Sequence, residues 1–213
     1  MRAVERRLFF AIRRFKNATR SLILLFSFLY VITLNSKKNL YCLKIGEIMN
    51  TFECIKTRKS VRNYSNRQID TESIDNINNA MIWTPSGKNG QPWRIKIVTD
   101  KSIIASISNL SVYCDWMKKA SCFYVVFLDN SVSYNHLKDV QSCGALMQTI
   151  MLAAHSIGIG SCWIGEILPQ ENSIKNILNI NNDFLELMGI ITLGYEEGRS
   201  FKSSRKNIES FIL

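Results

Sequence analysis

Ala153-Ala154-His155-Ser156-Ile157-Gly158-Ile159-Gly160-Ser161-Cys162-Trp163-Ile164-Gly165 decides the architecture of this chain, because its hydrophobic period changes partway along it. From Asp139 to Ile157 the pattern is helical and apolar almost all round, which implies a helix buried on most sides, against a central sheet and a second subunit. Glycines then break the helix, and Ser161 to Ile164 reads as a short core strand. Outward from this stretch, Cys122 to Leu128 is a continuous apolar run that suits a central strand, and Leu187 to Leu193 is another core strand. Ile95 and Ile97 alternate with Arg94 and Lys96, as in a half-buried strand. Gln170 to Leu178 reads as an intervening helix. Asp70 or Thr71 can cap a helix that carries Ile74, Ile77 and Met81 on one face and stops near Pro85, since proline disfavours helix in the residue before it. Ser86 to Trp93 then falls on a loop. These elements make one α+β domain, and the pattern leaves its strand order open.

The chain has 213 residues, 46% of them hydrophobic, enough for one sizeable core plus an arm. The net charge of +10 is unevenly spread. Residues 1–48 hold ten Lys or Arg against two Glu, whereas residues 49–213 hold seventeen Lys or Arg against fifteen Asp or Glu. A nucleic-acid-binding domain carries its basic patch on the folded body, so this distribution argues against a nucleic-acid partner. The arm, residues 1–48, places seven basic residues before the apolar run Leu22 to Leu34, which at thirteen residues is shorter than the ~20 a spanning helix needs. It reads as a basic helix that leans on a membrane or binds a partner. A second reading starts the protein at Met49 and makes the arm a gene-model extension. The six cysteines form no CxxC pair, and with only two histidines no metal site is expected. Cys122, Cys143 and Cys162 sit in apolar runs, which favours reduced thiols and a cytoplasmic setting.

Chemistry enters with Arg58-Lys59-Ser60-Val61-Arg62, where two guanidiniums, an ammonium and a hydroxyl stand together without an acidic residue. Planar guanidiniums match phosphate oxygens bidentately, and the hydroxyl adds a donor. A solvated basic turn is the alternative reading of these five residues alone. Three further segments bear on it: Pro85-Ser86-Gly87-Lys88-Asn89-Gly90-Gln91-Pro92-Trp93, the helix-glycine-strand stretch quoted above, and Met188-Gly189-Ile190-Ile191-Thr192-Leu193-Gly194-Tyr195 with the basic tail containing Lys202, Arg205 and Lys206.

In this order and spacing the four motifs resemble the FMN-dependent nitroreductase family, from about Phe52 to the C-terminus. The resemblance implies a central, mostly antiparallel sheet flanked by helices in a homodimer, with residues 49–213 as the FMN-binding domain. It places Arg58, Ser60, Arg62 and Arg205 on the FMN phosphate, with Lys59 at a variable position and Lys202 as a helper. Pro85, Ser86, Asn89 and Gln91 would lie on a loop that reaches the flavin held mainly by the other subunit. Trp163, Ile164 and Gly165 would run along the isoalloxazine, where a glycine permits close backbone approach. The cofactor then carries the chemistry, with NAD(P)H as reductant, a small organic acceptor and ping-pong kinetics, and no protein nucleophile is expected. His155 reads as a satisfied, partly buried histidine, Trp93 as packing, and Glu166 as a surface or supporting carboxylate. Two departures stand out: Glu196-Glu197 follows Gly194-Tyr195 where the family often has proline, and the interval from Trp93 to Asp139 is short. Two other readings are a non-catalytic membrane- or nucleic-acid-associated protein that uses the arm, and a flavin-consuming or dehalogenating enzyme of the same fold.

Overall fold

Eight consecutive buried residues, Cys122–Asp129, form strand β2 at the middle of a four-stranded sheet. The computed structural model describes residues 49–198 and 204–213, so the expectations for the arm and for Lys202 lie outside the described residues. β1 (Trp93–Val98), β2, β3 (Gly160–Ile164) and β4 (Leu185–Gly194) stand in the order β1-β2-β4-β3, and every neighbouring pair is antiparallel.

The unbroken apolar run of β2 follows from helices on both faces of the sheet. Phe123, Val125 and Phe127 point into one layer, with Ile104 and Ile107 of α3 (Lys101–Ser108), Met117 of α4 (Cys114–Met117) and Ile174 of α6 (Glu171–Ile177). Cys122, Tyr124 and Val126 point into the other, with Ile77 of α2 (Thr71–Met81) and Leu146, Met147 and Ile150 of α5 (His136–Ser156). Trp93 packs against this second layer. Burial raises the thiols of Cys122 and Cys143, each to about 12.

Asp70 is the cap of α2, accepting from Ser73 N at 2.8 Å. The long helix α5 starts three residues before the expected Asp139, because Asn135 caps it. Asp139 reaches back to accept from Ser133 Oγ at 2.8 Å and Tyr134 N at 3.1 Å. α3 and α4 fill the interval after β1 that the sequence left without elements. Where a helix was expected over Gln170 to Leu178, a 3-10 turn (Leu168–Gln170) leads into α6.

Residues 58–65 cross the end of the β3-β4 pair as an added extended segment. Val61 N donates to Ser161 O and Ser65 N to Tyr195 O, both at 2.8 Å. Tyr64 is 1% exposed, and its hydroxyl lies 2.8 Å from Thr192 Oγ1. Two glycines facing each other in the ladder, Gly160 and Gly194, make room for this crossing. A Cβ on Gly160 would lie 2.8 Å from Val61 Cγ2, and one on Gly194 would lie 2.7 Å from Tyr64 Cδ1.

Candidate functional site

Helix α1 (Thr51–Thr57) is capped by Asn50, whose side chain accepts from Glu53 N, and ends where Arg58 turns extended at φ −57° and ψ 133°. The helix end thus sets where the cation segment begins. Thr57 Oγ1 donates to Glu53 O at 2.6 Å and lies 2.8 Å from His155 Nε2 at the far end of α5. His155 is held below its ordinary pKa by burial, then by the cations Arg58 and Lys59, with Glu196 opposing. Past Arg58, Ser60 and Arg62 are exposed, whereas Val61 between them is buried against Gly160. Among the described residues, neither Arg58 nor Arg62 forms a salt bridge with a carboxylate. Burial also raises the Cys162 thiol, an effect opposed by Arg62, Ser60 and Arg58 close by.

Lys59 differs from its neighbours. Its Nζ lies 2.7 Å from Glu196 Oε2, a partly shielded pair worth about 1 kcal/mol. Glu197 N donates to Asn63 O at 3.1 Å, and Asn63 Nδ2 donates to Glu197 O at 2.8 Å. Glu196-Glu197, which the sequence marked as a departure, therefore fastens the segment to the end of β4.

The second part of the site lies at the other end of β3. Ile164 is buried, Trp163 is 41% exposed, and Gly165 is exposed. A Cβ on Gly189, a residue at φ +146° beside the register shift in β2 and β4, would lie 3.0 Å from Trp163 Nε1. A Cβ on Gly144 of α5 would lie 3.8 Å from Trp163 Cη2, so the indole rests between these two glycines. Gly165 is different, because a Cβ there would meet nothing within 4 Å. Its carbonyl accepts from Leu168 N at 3.2 Å, and Glu166 Oε2 accepts from Ser111 Oγ at 2.7 Å, which ties the loop before α4 to the end of β3. Ser60 is bridged to Ser161, four residues before Gly165, so the cation segment and the open space at Gly165 lie about 13 Å apart along one sheet edge.

The Pro85 to Gln91 loop folds on itself. Ser86 Oγ accepts from Gln91 N at 3.0 Å, and Gln91 Nε2 donates to Asn89 Oδ1 at 3.2 Å. Lys88, Asn89 and Gln91 all take positive φ (54°, 53° and 46°), a conformation asparagine tolerates better than most residues. Pro85 is exposed. Gly87 is pressed against the Tyr134 hydroxyl, and Lys88 Nζ stands 4.8 Å from the Tyr134 ring centroid. Tyr134 precedes the start of α5, whereas the Thr57-His155 contact marks its end. At about 1.5 Å per residue, the helix separates the two by roughly 28 Å. Within one chain, the loop and the cation segment are not brought together. Arg205 lies in the exposed C-terminal segment, where its guanidinium donates to Ser204 O at 2.8 Å.

Sequence reasoning selected the cations by type but missed the partners that sort them. Lys59 pairs with a carboxylate 137 positions away, and only the unusual Glu196-Glu197 signalled it. The Thr57-His155 contact had no local signal. The roles of Gly160 and Gly194 in making room for the crossing segment also went unread, although both glycines were part of the quoted motifs.

A family model described as the nitroreductase family matches residues 55–112 and 109–195. A protein of Archaeoglobus fulgidus described as an NADH dehydrogenase/NAD(P)H nitroreductase is 36% identical over 150 residues, covering 67% of this chain and 85% of that protein. A protein of Methanothermobacter thermautotrophicus with the same description is 32% identical over 149 residues, covering 69% and 78%. A solved nitroreductase structure from Desulfovibrio desulfuricans, in complex with FMN, has a TM-score of 0.72 at 31% identity and covers 76% of this chain and 94% of that one. The matched residues take in the cation segment, the Pro85 to Gln91 loop and the β3 edge described above, and the chain belongs to the nitroreductase family.

Proposed function

We propose that this chain is an FMN-dependent oxidoreductase that uses NAD(P)H to reduce a small organic acceptor such as a nitroaromatic or a quinone. The observation that carries the reading is the pairing, along one sheet edge, of the partly exposed Arg58 and the exposed Arg62, neither paired with a carboxylate among the described residues, with an open space beside Gly165. Bound FMN would supply the two-electron chemistry that links NAD(P)H to the acceptor. Arg58 and Arg62 would hold the phosphate through charge-assisted hydrogen bonds, with the Ser60 hydroxyl beside them. The Trp163-Ile164-Gly165 backbone would lie along the ring, where the missing Cβ of Gly165 leaves room. Lys59 stays with Glu196 and supports the segment rather than the phosphate.

A homodimer completes the site in this reading. The Ser86 to Gln91 loop lies by the start of α5 and the cation segment by its end, roughly 28 Å along the helix, so Ser86, Asn89 and Gln91 would serve the flavin of the partner. Arg205, in the exposed C-terminal segment, would join Arg58 and Arg62 in the assembled dimer. Donor and acceptor use the same open side of Gly165 in turn. Initial rates at several fixed acceptor concentrations should therefore give parallel double-reciprocal lines. Intersecting lines, with both substrates bound together, would count against a shared site. A mixed dimer tests the composite arrangement: one subunit carries Arg58→Ala with Arg62→Ala, the other Asn89→Ala. Activity should recover toward half of the wild-type sites, and heterodimers without recovery would mean that each chain builds its own site.

A further inference from the structure

His155 is a titratable side chain beside the cation segment that the proposed chemistry leaves unused. It sits in the last turn of α5, with Nε2 2.8 Å from Thr57 Oγ1, the hydroxyl of the residue next to Arg58. Thr57 has a single hydroxyl proton, and that proton goes to Glu53 O at 2.6 Å. The hydroxyl oxygen is therefore the acceptor toward His155, and Nε2 carries a proton in both the neutral and the charged imidazole. From α1 the ring faces Thr57, from the following segment Arg58 and Lys59, and from the residues after β4 Glu196.

We propose that His155 is a positioning residue for the phosphate site: its Nε2–H holds Thr57, and through it Arg58, and its ring takes up a proton when a phosphate dianion binds. The inference rests on the reading of Arg58 and Arg62 as phosphate ligands. In the free protein, burial and the two cations favour the neutral ring. A dianion on Arg58 offsets one of those cations and adds an opposite charge, so the pKa of the ring rises on binding. By linkage, affinity gains as pH falls from the bound-state pKa toward the free-state pKa, and the gain is absent above the bound-state value. The ligand's own second phosphate ionisation, near ~6, works in the opposite direction and must be separated from this effect.

Proton NMR on the full-length chain freed of flavin provides the direct test. The chain has two histidines, and the His155 resonance is the one lost in His155→Gln. FMN should raise its titration midpoint, whereas riboflavin, which lacks the phosphate, should leave it in place. Glutamine keeps an N–H donor for Thr57 but cannot take up the proton. His155→Gln should therefore match wild-type FMN affinity at pH 8 and fall behind as pH drops. His155→Ala should bind FMN roughly tenfold more weakly at pH 8, the size of one lost hydrogen bond, and should fall further behind as pH drops because it also lacks the titrating ring. If FMN binding depends on Arg58 while the His155 midpoint stays fixed, or if the alanine variant binds as well as wild type, the inference is overturned and the phosphate assignment stands. If Arg58→Ala leaves FMN affinity unchanged, both fall together.

Discussion

Replacing Gly194 by alanine tests how the fold positions its cations. An added Cβ would lie 2.7 Å from Tyr64 Cδ1, 3.0 Å from Cγ and 3.3 Å from Cβ, against an optimum of about 3.5–4.0 Å between carbons. The ring has little freedom to move, because Tyr64 is 1% exposed and its hydroxyl is bonded to Thr192. Overpacking at such a site costs about 2 kcal/mol, equivalent to a Tm lower by roughly 4–8 °C for a body of this size. The push falls on the segment that carries Ser60 and Arg62, so FMN affinity should fall as well. Thermal unfolding followed by calorimetry, together with a fluorescence titration of FMN, reads both effects. Tyr64→Ala removes Cγ and Cδ1, the two nearest atoms, so in Gly194→Ala/Tyr64→Ala the combined loss should be smaller than the sum by about 1 kcal/mol. A Gly194→Ala protein with unchanged Tm and unchanged affinity would refute the claim that the facing glycines make room for this segment.

The contrasting glycine is Gly165, where a Cβ meets nothing within 4 Å: Gly165→Ala should keep wild-type thermal stability and lose FMN affinity, as seen by running both assays on the same preparation. Asp100 caps α3 through Ser102 N and Ile103 N, and its pKa is lowered first by the Ser102 hydroxyl and then by those backbone amides. Its contribution is full above the unfolded aspartate value and is lost as pH falls through the depressed folded value, so the Tm deficit of Asp100→Ala should be present at pH 7 and close in that acidic window. Deleting residues 1–48 should leave flavin content and NAD(P)H oxidation unchanged, which absorbance and a rate measurement on the shortened chain will check.

Local period made the layers legible. The run Cys122 to Leu128 and the helix after it were readable because each repeats a burial pattern along its whole length. α3 and α4 escaped because they have eight and four residues, too few for a helical period to show, although Asp100 before Ile103 and Ile104 was a usable cap signal. Strand order rests on pairings such as Trp163 with Ile191, which join distant parts of the chain and leave no local trace. In the candidate site, residue type nominated the guanidiniums, but type alone could not separate Lys59, which pairs with a carboxylate, from them. That distinction came from Glu196, brought alongside by the crossing of residues 58–65 over β3 and β4. The loop residues Ser86, Asn89 and Gln91 were nominated by type as well, and their distance from the cations became visible only once α5 was seen to lie between them.

Comparing FMN with riboflavin, titrated into the flavin-free wild-type chain, tests the central claim most directly, since the two ligands differ only by the phosphate. Two charge-assisted contacts at roughly 1.5–3 kcal/mol each should make FMN at least about a hundredfold tighter, and Arg58→Ala with Arg62→Ala should remove most of that difference. Equal affinity for the two flavins in the wild-type protein would contradict the assignment of Arg58 and Arg62 to the phosphate, and with it the account of the site.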